Sequence, residues 1–188
     1  MKKLIVMLLS CIVAVGLCSC SNASGTTGGS IVDYANAALN QDDISLFTYN
    51  NSAELDSLLT AMSNDKSLYD NDTIHRVYLR TNGCGSVETS ALKQAMMEQI
   101  PESDYDFLHL DDNGLIRVLS VYSASGKWSE KKAVERIVSL HNGQICEANY
   151  PSRYTYSGEI SAIKVENTEN SDESAWVVAI LITATENL

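Results

Sequence analysis

From residue 30 onward the apolar positions change period several times, and each change predicts an element. Ile31, Tyr34, Ala35, Ala38 and Leu39 recur at helical spacing behind Ser30, whose hydroxyl is suited to accept from the first free helix amides. Leu55, Leu58, Leu59 and Met62 repeat the pattern, with Asn51 and Glu54 spaced as a capping box and Asn64-Asp65 as the stop. Between 74 and 81 the period shortens to two. Val77 and Leu79 alternate there with Arg76, Tyr78 and Arg80, which predicts a strand. Asn82-Gly83-Cys84-Gly85 predicts a turn, and Ser86 a cap for a helix carrying Ala91, Leu92, Ala95 and Met96 that stops before Pro101. Strands are predicted over 105–110 and 115–122, around the hairpin signal Asp112-Asn113-Gly114. A helix follows Ser129, with Ala133, Val134, Ile137, Val138 and His141 in register and Asn142-Gly143 as its C-cap. Residues 145–150 form one more predicted strand, and 158–166 and 175–185 two long ones joined by the acidic loop 167–174.

The order over 74–150 is thus β-α-β-β-α-β, the ferredoxin-like arrangement in which crossover helices cover one face of an antiparallel sheet. The expected fold class is α+β, with this ferredoxin-like core, two N-terminal helices and a C-terminal β-hairpin in one domain over 31–188. Residues 176–182 are apolar on both faces, so the last strand should be interior and covered on both sides. The two N-terminal helices are expected to cover the face that a ferredoxin-like core leaves open. The layout is also similar to the NTF2-like (cystatin-like) cone. That alternative fold needs 129–141 to be a strand and implies a ligand pocket inside a curved sheet. The segment 74–150 is similar in order to small heavy-metal-associated domains, which place Cys-x-x-Cys in the loop that holds Cys84 here. A metal-binding module at Cys84 is therefore a further alternative. The pattern departs at the decisive position: Thr81 and Val87 stand where the second thiolate is required. No metal or other cofactor is expected.

Ahead of the domain, Lys2-Lys3 and an apolar run from Leu4 lead to Leu17-Cys18-Ser19-Cys20. The run is shorter than the ~20 residues of a membrane-spanning helix, and its basic start and small terminal residues fit a removable signal. The four residues resemble the lipobox of bacterial lipoproteins. The resemblance implies a signal peptide over 1–19, lipidation of Cys20, and attachment to the membrane through that covalent lipid. Residues 20–30, poor in apolar side chains and rich in Ser, Thr and Gly, form the expected flexible tether. Ser21 does not provide the aspartate that commonly retains such proteins at an inner membrane, so the expected site is the cell envelope, at an outer membrane facing the periplasm.

Removal of the signal takes two lysines and no acid from the 13 basic and 24 acidic residues, deepening the formal charge from −11 to −13. Nucleic acid, whose phosphates reward Lys and Arg clusters, is an unsuitable partner. An unidentified protein or small ligand remains. The same cleavage leaves Cys84 and Cys146 as the two thiols of the domain. In a ferredoxin-like sheet the fourth strand runs antiparallel beside the first. Cys84 after the first strand and Cys146 at the start of the fourth are then a candidate disulfide, suited to an oxidising compartment.

Catalytic chemistry finds little support. His75, His109 and His141 are isolated, with none in a ligand pair. Asp111-Asp112-Asn113-Gly114 lacks the spacing of a calcium loop, and Glu166, Glu169, Asp172 and Glu173 are expected to form a solvated loop. Ser-x-x-Lys occurs at Ser63–Lys66, Ser90–Lys93 and Ser129–Lys132 without its companion motifs. Tyr150, Tyr154 and Tyr156 cluster around Pro151 and are candidates for a ligand surface. A non-catalytic binding or structural module at the envelope is the expected function.

Overall fold

The last strand predicted from sequence occupies the middle of the sheet. A computed structural model describes residues 30–42, 46–80, 82–86, 91–100, 103–104, 115–145 and 154–187. In it β6 (Ser174–Glu186) pairs antiparallel with β5 (Tyr154–Glu166) on one side and β4 (Leu115–Ser125) on the other. Short strands finish the margins. β1 (Tyr49–Asn50) runs parallel to β5, β2 (Cys84–Ser86) antiparallel to β4, and β3 (Ser103–Asp104) parallel to β4. Among the described residues the strand order is β1-β5-β6-β4-β2, with β3 also on β4.

The two-sided apolar run of β6 explains its place. Val178, Ile180 and Ile182 point into one core, with Ile160, Tyr122 and Ala124, beneath α1 (Ile31–Gln41) and α5 (Glu130–Ile145). Ala175, Val177, Ala179 and Leu181 point into the other, with Leu119, Val121 and Val165. That second core is closed by α2 (Ala53–Ser63), α3 (Asn71–Tyr78) and α4 (Ala91–Gln99). The fold is α+β, as expected, and the covering of the last strand on both faces is as the pattern required.

The two helical layers differ in width, and that difference positions the site described below. Five strands abreast at ~4.8 Å make a sheet about 24 Å wide, whereas helices are ~10 Å across. Three helices more than span one face. Among the described residues, two leave the margins of the other face uncovered.

Capping fixes most helix starts. Ser30 Oγ accepts from Asp33 N (3.3 Å) while Ser30 N donates to Asp33 Oδ2 (2.8 Å), closing a capping box. Ser52, one residue after the expected Asn51, caps α2 by accepting from Leu55 N (3.3 Å). Ser129 Oγ accepts from Lys132 N (3.3 Å) at the start of α5.

Several expectations are corrected. The predicted strand 74–81 is helical up to Tyr78, because Asp70 accepts from Thr73 N (2.6 Å) and starts a turn that buries Ile74 and Val77 together. Leu79, which alternation paired with Val77, ends up 57% exposed. With its first strand helical, the ferredoxin-like order is not the one the described residues adopt. Residues 129–141, which an NTF2-like cone needs as strand, lie in α5 apart from the cap Ser129. Ser86, expected as a helix cap, belongs to β2, opposite Tyr122. Asn142-Gly143 does not end α5, which runs to Ile145, because Asn142 Nδ2 donates to Asp42 Oδ2 (2.8 Å) at the end of α1. The N-terminal helices do not share a face: β1 carries the chain around the sheet margin, so α1 and α2 lie on opposite sides. The predicted strand 105–110, the hairpin turn at 112–114 and most of the strand at 145–150 lie outside the described residues.

Candidate functional site

At the margin where α1, β1 and β5 meet, the uncovered edge of the sheet becomes a groove of about 490 Å³. Its wall is built from the second half of α1, where Asn36, Leu39 and Asn40 follow at helical spacing. Asn36 is committed to the fold. Its Nδ2 donates to Tyr49 O (3.1 Å) and its Oδ1 accepts from Tyr49 N (2.8 Å), so the side-chain amide takes the place of a neighbouring strand. That clamp seals β1 against further pairing at Tyr49. Phe47 and Tyr49 meet edge to face at 5.3 Å. They fit because Gly158 lies beneath them: a Cβ there would stand 2.9 Å from both rings.

The rest of the lining is polar and neutral. Asn40, Thr48, Asn50 and Ser157 supply amides and hydroxyls, and Phe47 and Tyr156 supply aromatic surface. No acid, ammonium, guanidinium or imidazole lines the groove among the described residues. Such a surface can exchange hydrogen bonds with a neutral ligand and stack on its apolar face. It has no proton acceptor of the strength that general base catalysis needs.

The other sequence candidates are dispersed. Cys20 and Cys146 lie outside the described residues. Cys84 lies in β2 as a free, half-buried thiol, donating to Arg136 O on α5 (3.8 Å). The topological reason for pairing it with Cys146 falls with the ferredoxin-like order. Burial pushes the Cys84 thiol up, offset in part by a backbone hydrogen bond and by Arg136, which keeps it in its less reactive protonated form. His109, Tyr150 and the 111–114 turn also lie outside the described residues.

His75 is half exposed and pairs through Nδ1 with Glu173 (2.8 Å). Glu173, only 7% exposed, also accepts from Asn167 Nδ2 (3.1 Å), and Asn167 Oδ1 accepts from Glu169 N and Asn170 N. The expected acidic loop is therefore a hydrogen-bonded turn fastened to α3. No group of three or more His, Cys, Asp or Glu side chains suited to a metal occurs among the described residues. The Ser-x-x-Lys pairs that can be followed come apart. Ser63 is fully buried while Lys66 Nζ donates to Glu166 O (3.0 Å), and Lys132 Nζ lies over the Trp128 ring at 4.4 Å. Of the tyrosines near Pro151, Tyr156 reaches the groove and Tyr154 is buried, with their rings 6.4 Å apart.

Sequence reasoning missed one buried polar constellation. His141, 2% exposed, meets the Tyr122 hydroxyl at 2.9 Å through Nδ1, and its Nε2 has no hydrogen-bond partner among the described residues. Burial, reinforced by the charge of Lys93, lowers its pKa to about 4. The helical register of His141 was legible, but nothing local announces Tyr122 as its partner. No helix among the described residues is long and apolar enough to cross a membrane. Compared with known proteins, the chain matches no family model, no curated protein and no solved structure.

Proposed function

We propose that this chain is a lipid-anchored cell-envelope protein whose folded domain is a non-catalytic binding module. The observation that carries the binding role is the neutral, amide- and hydroxyl-lined groove beside α1, about 490 Å³ in volume. Its chemistry suits an uncharged ligand presenting hydroxyl or amide groups. The Leu17-Cys18-Ser19-Cys20 segment supports the anchor, with Cys20 as the lipidated residue and an outer membrane facing the periplasm as the destination. Geometry connects the two. A ten-residue segment of the Ser/Thr/Gly-rich composition of 21–30 has a reach of roughly 18 Å, and α1 rises about 15 Å between Ser30 and Asn40. The groove would thus sample material within a few nanometres of the membrane.

Screening the purified protein against arrays of neutral glycans and uncharged peptides tests the binding role. Binding that falls at least tenfold in Asn40→Ala and is abolished by Ser157→Trp, which fills the groove, is the expected result. Selective binding of charged ligands, or binding unchanged by both substitutions, would refute it.

A further inference from the structure

The two margins of the sheet are defended unequally. At the β1 margin the Asn36 amide occupies both backbone groups of Tyr49, and β5 carries exposed Lys164. At the opposite margin β2 is terminal and pairs only with β4 among the described residues. Asn82-Gly83-Cys84-Gly85-Ser86 contains none of the lysine, proline or other charge with which exposed strands usually deter pairing. A Cβ built on Gly83 meets no atom within 4 Å, so the glycine faces open space and is not required by packing.

Beside this strand lies a second groove of about 330 Å³. Asn82, Gly83 and Cys84 form one wall, and Arg136, Ser139 and Leu140, one turn of α5, form the other. Leu140 is 41% exposed, one of two large apolar side chains so exposed among the described residues. Arg136 has no carboxylate within salt-bridge distance among them, and the acid beside it, Glu135, pairs with Lys131 at 3.7 Å. Among the described residues this is an open strand edge alongside a helix, with an apolar contact and a guanidinium facing no carboxylate, the geometry by which extended peptides add to sheets.

We infer that the β2–α5 groove binds an extended segment of a partner protein by strand addition, with one carboxylate of that segment held by Arg136 and an apolar side chain against Leu140. The backbone ladder along 82–86 supplies affinity with little dependence on sequence; Arg136 supplies the selection. A guanidinium recognises a carboxylate bidentately, and this one stands exposed beside the strand edge. The site is separate from the neutral groove beside α1, so either proposal can fail alone.

The probe is a fluorescein-labelled, N-acetylated eight-residue threonine–valine peptide with one central aspartate, compared with the same peptide carrying lysine there. Anisotropy with the detergent-solubilised full-length protein should show the aspartate peptide binding at least tenfold more tightly. Arg136→Glu, at an exposed position, should abolish or reverse that preference, and Gly83→Val should weaken the aspartate peptide at least tenfold with the far-UV spectrum unchanged. Asn40→Ala should leave this binding unaltered. Equal binding of the two peptides, failure of both to bind, or binding indifferent to Arg136→Glu and Gly83→Val would overturn the inference.

Discussion

His141 contains the sharpest residue-scale consequence. Its imidazole is buried neutral with a pKa near 4, against 6.5 when solvated. A depressed histidine pKa means that the unfolded chain binds the extra proton first. Its contribution to stability is therefore complete above pH 6.5 and is lost progressively as pH falls from 6.5 towards 4, by about 3 kcal/mol in all. Urea midpoints at pH 7.5 and pH 5 should differ clearly for the wild type, and far less for His141→Gln. Gly126 is the second sensitive residue. Its amide donates to Ser174 O (2.9 Å), and a Cβ would collide with the Ser174 hydroxyl and carbonyl. Gly126→Ala should cost roughly 2 kcal/mol or more, as overpacking against backbone does, visible as a lowered melting temperature without loss of secondary structure. At this scale the sequence was legible where a residue acts on near neighbours, as Ser30 does on Asp33. It was opaque where partners meet across the fold, as His141 meets Tyr122 and Asn142 meets Asp42.

Elements were legible in proportion to the length of their periodic signal. The final hairpin announced itself through two long runs of β-branched residues, and α5 through five apolar or buried positions in register. Residues 74–81 misled because Val77 and Leu79 mimic alternation over a span too short to exclude a helix. The deciding signal stood upstream: Asp70, three residues before Thr73, is a better helix start than 74–81 is a strand. Asp70→Ala should destabilise α3 by about 1 kcal/mol, the usual cost of losing an N-cap. That loss should appear as faster amide exchange over 71–78, with β6 still protected. Hydrogen bonds that the Asp70 carboxylate accepts from Thr73 hold it below the ordinary carboxylate range, so this cap weakens only at strongly acidic pH.

At the scale of the whole molecule, the described residues form a sheet five strands across with two helices on one side and three on the other, and among them two margins stand open on the thinner side. One margin is a neutral groove and the other an undefended strand edge beside Arg136. Neither was legible in the sequence, because which helix lies on which face depends on β1 carrying the chain past the edge, and two residues carry no periodic signal. Tyr156 at one groove and Cys84 at the other were the sequence candidates that reached a groove. The proposed address, by contrast, rests entirely on a short local motif, Leu17-Cys18-Ser19-Cys20, and it would decide what both margins can meet. Intact-mass spectrometry of the protein extracted from the membranes of a bacterial host tests that directly. The account predicts a chain lacking residues 1–19, beginning at Cys20 and carrying acyl chains that Cys20→Ala eliminates. A chain that retains those residues with an unmodified Cys20 would contradict it.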